Sequence, residues 1–123
     1  MASLLVVDDD PRQLQIWRML FEHAGHRIHT AETAVEALRL LSEVEPDILL
    51  MDLRIPELKD GLGLIRSTRR ARIIVLSGWP SDLFDHPEVE KVSRVFTKPV
   101  RTGVMLQAIT EIAPPSSPSQ NLP

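Results

Sequence analysis

Three uninterrupted apolar runs, Leu4-Leu5-Val6-Val7, Ile48-Leu49-Leu50-Met51 and Ile73-Ile74-Val75-Leu76, constrain this chain more than any other feature. Each has the length of a strand, and none alternates with polar residues. A strand with one wet face alternates, so a continuous run implies cover on both faces, as in the centre of a parallel sheet. Two more polar runs, Arg27–Thr30 and Arg94–Thr97, suit the edges of such a sheet.

Stretches of helical period lie between these runs. Leu14, Trp17, Leu20 and Phe21 recur from Pro11 to about Ala24, and Gly25 supplies the stop; Trp17 and Phe21 are expected in the core. Thr33 with Glu36 forms a reciprocal capping pattern ahead of Val35, Leu38 and Leu41, and Pro46 closes that helix. Asp60 is expected to cap a short third helix carrying Leu62, Leu64 and Ile65. Ser81 or Asp82 opens a fourth around Leu83 and Phe84, with Pro87 awkwardly inside it. A fifth helix from about Arg101 to Ala113 shows Val104, Leu106, Ile109 and Ile112, and Pro114-Pro115 ends it.

Strict strand–helix alternation predicts an α/β fold, a doubly wound five-stranded parallel sheet with right-handed crossovers and helices on both faces. The order 2-1-3-4-5 places the three most apolar strands inside. Residues 1–113 are expected to form one domain. Residues 114–123 carry four prolines and no charge, and are read as a flexible tail or a truncated linker.

Several functions are excluded or disfavoured. The absence of cysteine removes disulfides, thiol catalysis and thiolate zinc sites. A net charge of −3 offers no general field for nucleic acid. No apolar run approaches the roughly 18 residues of a membrane span, and acid at Asp8 comes too early for a secretory signal, so a cytoplasmic location is expected. The turn Asp8-Asp9-Asp10-Pro11 has no Gly-x-Gly, and the chain has no Gly-x-x-x-x-Gly-Lys phosphate loop.

In an open parallel sheet, ligands sit beyond the carboxyl ends of the strands where the winding reverses, here between the first and third. The first strand runs into Asp8 and Asp9 and the third into Asp52, so three carboxylates are expected to converge. Each pair at about 4 Å repels by roughly 4 kcal/mol at an effective dielectric near 20. A hard divalent cation offsets that repulsion, and Mg²⁺ suits a site of few carboxylates plus a phosphate oxygen. The fourth strand ends at Ser77 and the fifth at Lys98. Asp10, followed by Pro11, suits the cap of the first helix.

An acid pair, a single aspartate, a hydroxyl and a lysine at the ends of separate strands resemble the receiver domain of two-component response regulators. The resemblance covers residues 3–113, and Leu4-Leu-Val-Val-Asp-Asp-Asp-Pro11, Leu50-Met-Asp-Leu-Arg-Ile-Pro56 and Thr97-Lys-Pro99 are its most specific parts. It implies the flavodoxin-like (βα)5 receiver fold and a signalling switch rather than an enzyme. Asp52 would accept a phosphoryl group from a sensor histidine kinase or histidine phosphotransfer protein. Asp8, Asp9, Asp52 and the backbone carbonyl of Arg54 would hold Mg²⁺, Asp8 mainly through water. Lys98 and Ser77 would contact the phosphoryl oxygens. Partner binding would then change, with an unidentified protein as target, no nucleic acid or membrane bound by this domain, and a homodimer left open. The resemblance also raises a cis Lys98–Pro99 bond.

Some positions depart from that family's pattern. Val95 stands where an aromatic is usual three residues before the lysine, and Phe96 falls on the opposite face, which speaks against an aromatic rotamer switch. The loop after Asp52 reads one residue long, the stretch from Gly61 to Ser77 reads short, and a stunted third helix follows. Arg54 and Trp79, two residues beyond Asp52 and Ser77, are expected to shield an acyl phosphate and tune its lifetime. Arg66, Arg69, Arg70 and Arg72 read as a solvated basic face, and His23, His26, His29 and His86 as surface or packing residues. Two other functions stay open: a degenerate receiver serving as a docking module, and an Mg²⁺-dependent phosphatase with an aspartate nucleophile. The latter generally needs a second acid at the position of Arg54.

Overall fold

The computed structural model describes residues 2–113, so the expected tail at 114–123 lies outside the described residues. Five parallel strands, β1 (Ser3–Val7), β2 (Arg27–Ala31), β3 (Ile48–Met51), β4 (Arg72–Ser77) and β5 (Val92–Thr97), form one sheet in the order β2-β1-β3-β4-β5. The helices are α1 (Pro11–His23), α2 (Ala34–Val44), α3 (Leu58–Ser67), α4 (Ser81–Phe84) and α5 (Thr102–Ile112), with a 3-10 helix at Pro87–Lys91. β3 coincides with its apolar run, and each of the other strands extends beyond its own by one or two residues.

The uninterrupted runs are buried because alternate side chains enter two different cores. Leu4, Val6, Ile48, Leu50, Ile74 and Leu76 pack with residues of α1 and α5. Leu5, Val7, Leu49, Met51, Ile73 and Val75 pack with residues of α2, α3 and α4. Trp17 and Phe21 stack at 5.2 Å within the first core, as expected of core residues. Phe96 lies against the first core and Val95 against the second, as strand alternation requires.

Local chemistry sets most boundaries. Asp10 accepts from Arg12 N–H and caps α1, with Pro11 at the first position. Thr33 Oγ1 accepts from Glu36 N–H at the start of α2. Four expectations are corrected. Asp60 is not the cap of α3: Glu57 is, and Asp60 returns the bond from the third position, Oδ2 accepting from Glu57 N–H at 3.2 Å. α3 is therefore not stunted but runs ten residues, because Leu58, Lys59 and Asp60 join it. Pro87 does not sit inside α4, which stops after four residues at Phe84; the proline opens the 3-10 helix instead. The apolar faces of two helices also differ in part from those expected. α2 buries Ala37 with Leu41 packed beside it, while Val35 is 79 % and Leu38 40 % exposed; α5 buries Ile109 and Ile112 as expected, adds Met105 and Ala108, and leaves Val104 exposed.

Candidate functional site

The carboxyl ends of β1, β3, β4 and β5 meet at one edge of the sheet, and the register of the sheet decides what they bring together. Asp8 N–H donates to Ala31 O, Asp52 N–H to Val7 O, and Lys98 N–H to Ser77 O at 2.9 Å. Each of these residues is thus tied by its backbone to a neighbouring strand; Asp8, Asp52 and Ser77 follow or end buried runs, and Lys98 follows the more exposed β5. Asp8 and Ser77 are buried, Asp52 and Lys98 partly so.

Lys98 Nζ lies 2.8 Å from Asp52 Oδ2 and 3.2 Å from Asp8 Oδ2. The other oxygen of Asp8 accepts the Asp10 N–H at 2.9 Å, and that of Asp52 accepts the Arg54 N–H at 3.4 Å. Burial pushes the Asp8 carboxyl up from its ordinary pKa, against the opposing pull of the Asp10 N–H and Lys98. Burial alone would lower Lys98, but its bond to Asp52 and the charges of both carboxylates outweigh that and hold the ammonium above its ordinary value. It stays charged at neutral pH.

The expected convergence of three carboxylates is corrected. Among the described residues no three acidic or histidine side chains gather closely enough to form a metal cage. Asp8 and Asp52 share the lysine, and Asp9 projects into solvent. The cation that offsets the acid pair is therefore a side chain of the protein. One ammonium does not neutralise two carboxylates, and the oxygens it bridges are both carboxylate oxygens. That chemistry fits Mg²⁺, which keeps much of its own water and needs only one or two carboxylates.

Ser77 Oγ accepts the Trp79 N–H at 3.0 Å, leaving the hydroxyl proton to be directed at another acceptor. Arg54 and Trp79, singled out in the sequence, come together: the guanidinium lies 5.6 Å from the indole centroid. Sequence reasoning missed their companion. Asp82 Oδ2 accepts from Arg54 Nε at 3.1 Å and Nη2 at 2.6 Å. The sequence marks it only as a helix opener, and nothing there pairs it with a residue 28 positions earlier. The basic run is exposed, with Arg66 bonded to Glu88 at 2.6 Å and Arg70 facing Glu45 at 3.9 Å. The Lys98–Pro99 bond is cis, as is Ile55–Pro56. A surface cavity of about 340 Å³ lies away from this edge, between Leu41, Pro46, Arg70 and their neighbours.

A family profile described as the response regulator receiver domain matches residues 4–110. The chain belongs to that family. It is the receiver domain of a two-component response regulator. The receiver domain is 32 % identical over 96 % of its length to the transcriptional regulatory protein GlrR of Escherichia coli K12. It is 38 % identical over 63 % of its length to the transcriptional regulatory protein KdpE of Mycobacterium tuberculosis H37Rv. It spans 28 % and 35 % of those proteins, about a third of each. Among solved structures, a receiver domain protein from Clostridium thermocellum superposes with a TM-score of 0.81 at 26 % identity, covering 91 % of this chain and 94 % of that one. The regulator TrrA from Thermotoga maritima, solved in complex with Mg²⁺ and BeF, has a TM-score of 0.80 at 23 % identity, with 91 % and 99 % coverage. These likenesses agree with the sheet order and the receiver fold read from the sequence. No helix among the described residues is long and apolar enough to cross a membrane.

Proposed function

We propose that this receiver domain, residues 1–113, is a phosphoacceptor switch in which Asp52 takes a phosphoryl group from a histidine kinase or histidine phosphotransfer protein. The observation that carries this reading is the bridge of Lys98 between Asp52 and Asp8 at the carboxyl edge of the sheet. A carboxylate oxygen is held there, largely out of water, beside a fixed cation.

In the transfer, an oxygen of Asp52 attacks the phosphorus of a phosphohistidine in line, the O–P bond forms as the P–N bond breaks, and the imidazole leaves with its electron pair. Such a transition state needs positioning and charge more than covalent help. The Arg54 N–H fixes Asp52 from one side. Lys98, already bonded to Asp52, follows the charge onto the phosphoryl oxygens, and Ser77 turns its hydroxyl toward them. Asp8, Asp52 and the carbonyl of Arg54 would hold Mg²⁺, with the exposed Asp9 turned in from solvent to complete the set. When bound, that ion supplies a Lewis acid that neutralises phosphoryl charge.

The phosphoryl group adds about 1.5 to 2 negative charges. Drawing Ser77 toward Asp52 moves the loop that leads into α4, and a partner that reads this face would sense the change. A cytoplasmic location goes with a kinase of this kind. The reading as a phosphatase has no support from the position of Arg54, which lacks the required acid.

The test is incubation of the protein with Mg²⁺ and a small phosphodonor. A stoichiometric, alkali-labile adduct that maps to Asp52 and disappears in Asp52→Asn is the expected result. Sustained turnover of phosphomonoesters would favour the phosphatase, and absence of any adduct the docking module.

A further inference from the structure

Arg54 is fixed at two places that belong to different loops. Its backbone N–H holds Asp52, directly beyond β3, while its guanidinium crosses to α4, a helix of four residues, and donates twice to one oxygen of Asp82. The same guanidinium lies against the ring of Trp79, whose N–H is held by Ser77. The side chains of Arg54 and Asp82 are 51 % and 26 % exposed, so the pair is in contact with solvent. Both bonds end on one oxygen, which is not the two-oxygen fork that makes an arginine–carboxylate pair strong. Pairs of this kind are weak enough to be exchanged.

We propose that Asp82 is a positioning residue that holds the Arg54 side chain on α4 until a phosphoryl group on Asp52 competes for it. This rests on Asp52 being the phosphoacceptor. The competition is one-sided, because a phosphoryl group carries about 1.5 to 2 charges against one and presents three acceptor oxygens. It also arises on the residue whose carboxylate Arg54 already touches. When the guanidinium leaves Asp82, the first turn of α4 loses its tie to β3 and Trp79 loses its cation. Phosphorylation is thereby coupled to α4 without an aromatic switch on β5, where Val95 and Phe96 are disposed against one. By linkage, whatever weakens the Arg54–Asp82 pair strengthens retention of the phosphoryl group.

The experiment is a double-mutant cycle read by the affinity for beryllofluoride in the presence of Mg²⁺ and by the half-life of the phosphorylated protein. Asp82→Asn is expected to tighten beryllofluoride binding and lengthen the half-life by about two- to fivefold, the scale of a partly exposed ion pair. Arg54→Ala is expected to weaken binding and shorten the half-life, and adding Asp82→Asn to it should change nothing further. Acrylamide quenching of Trp79, isolated by comparison with Trp79→Phe, should rise when beryllofluoride binds and should already be raised in Asp82→Asn. An Asp82→Asn effect of equal size with and without Arg54, or none in either background, overturns the exchange, as does quenching that ignores beryllofluoride. A parent protein that neither binds beryllofluoride nor accepts label overturns this inference together with the phosphoacceptor reading; a parent that does both while the cycle is additive overturns this inference alone.

Discussion

Lys98 reaches Asp8, 90 residues earlier in the chain, and its ammonium stops 3.2 Å from the Oδ2 of a carboxylate only 7 % exposed. Burial works against the charged form of Asp8, and Lys98 works for it. Because burial raises its pKa, the folded protein prefers the protonated acid, and stability falls as pH rises from the ordinary value of 3.8 through the raised one. Asp8→Asn removes that cost. In chelator at neutral pH the variant should be more stable than the parent by about 1 kcal/mol, a usual size for one substitution, with the gap closing in acid. It should also accept label at Asp52 more slowly. Urea midpoints at neutral and acid pH check the first part, and an unchanged or lowered midpoint at neutral pH contradicts it.

The converse substitution is Lys98→Met. It leaves Asp8 and Asp52 facing each other with no cation, which costs 3–5 kcal/mol for a fully buried pair and roughly 1–3 kcal/mol for a lysine as exposed as this one. Burial already raises the Asp8 carboxyl and Lys98 opposes that rise, so without the lysine the lost stability should return as the solution is acidified. Adding Asp8→Asn should restore most of it at neutral pH. A loss that is the same at every pH would mean that Lys98 acts by packing its stem and not by its charge.

Gly61 and Gly63 occupy the same helix and should respond in opposite directions to alanine. A Cβ on Gly61 would lie 1.8 Å from the carbonyl oxygen of Leu53, where nothing flexible can give way. Gly61→Ala must push α3 from the loop that carries Leu53 and Arg54, at a cost of about 3 kcal/mol. The nearest atom to a Cβ on Gly63 is the mobile end of Arg66, at 3.6 Å. There alanine should stabilise by about 0.5–1 kcal/mol through helix propensity alone. Denaturant midpoints of the two variants, together with the labelling rate of Gly61→Ala, test both.

The sheet was legible because burial on both faces leaves a one-dimensional mark: Ile48–Met51 is apolar at every position and belongs to β3 at every position. Its order followed from which runs were weaker. Helix faces were less legible. On α2 the fully buried residue is Ala37, whose side chain carries almost no hydropathy signal, while of the three conspicuous apolar residues only Leu41 packs and Val35 and Leu38 are exposed. Glutamate is an uncommon cap, so Glu57 carries little local signal as the start of α3, although Asp60 three residues on completes a reciprocal pair with it. At the site, the strand ends announced Asp8, Asp52, Ser77 and Lys98. What they did not announce is a contact between loops, since Arg54 and Asp82 meet only through the folds of β4 and α4, and no local pattern encodes that distance.

His26 should give the protein a measurable sensitivity to mild acid. Its Nδ1 accepts the N–H of Ala2 at 3.0 Å, and the N–H of Arg27 donates to Ala2 O at 2.9 Å, so the turn into β2 pins the start of β1. The accepting lone pair exists only on the neutral ring; a proton on Nδ1 would set donor against donor. Burial pulls the His26 pKa below its ordinary 6.5. The unfolded chain therefore takes up the proton first, and the contribution of His26 is intact above 6.5, declines as pH falls from there, and levels off below the folded value. Glutamine at this position offers a carbonyl acceptor that does not titrate. The difference in urea midpoint between the parent and His26→Gln should shift in favour of the variant as pH drops through this window, with exchange of the Ala2 amide accelerating in the parent alone. A difference that stays flat across the window would assign the hydrogen bond no role in holding the edge of β1.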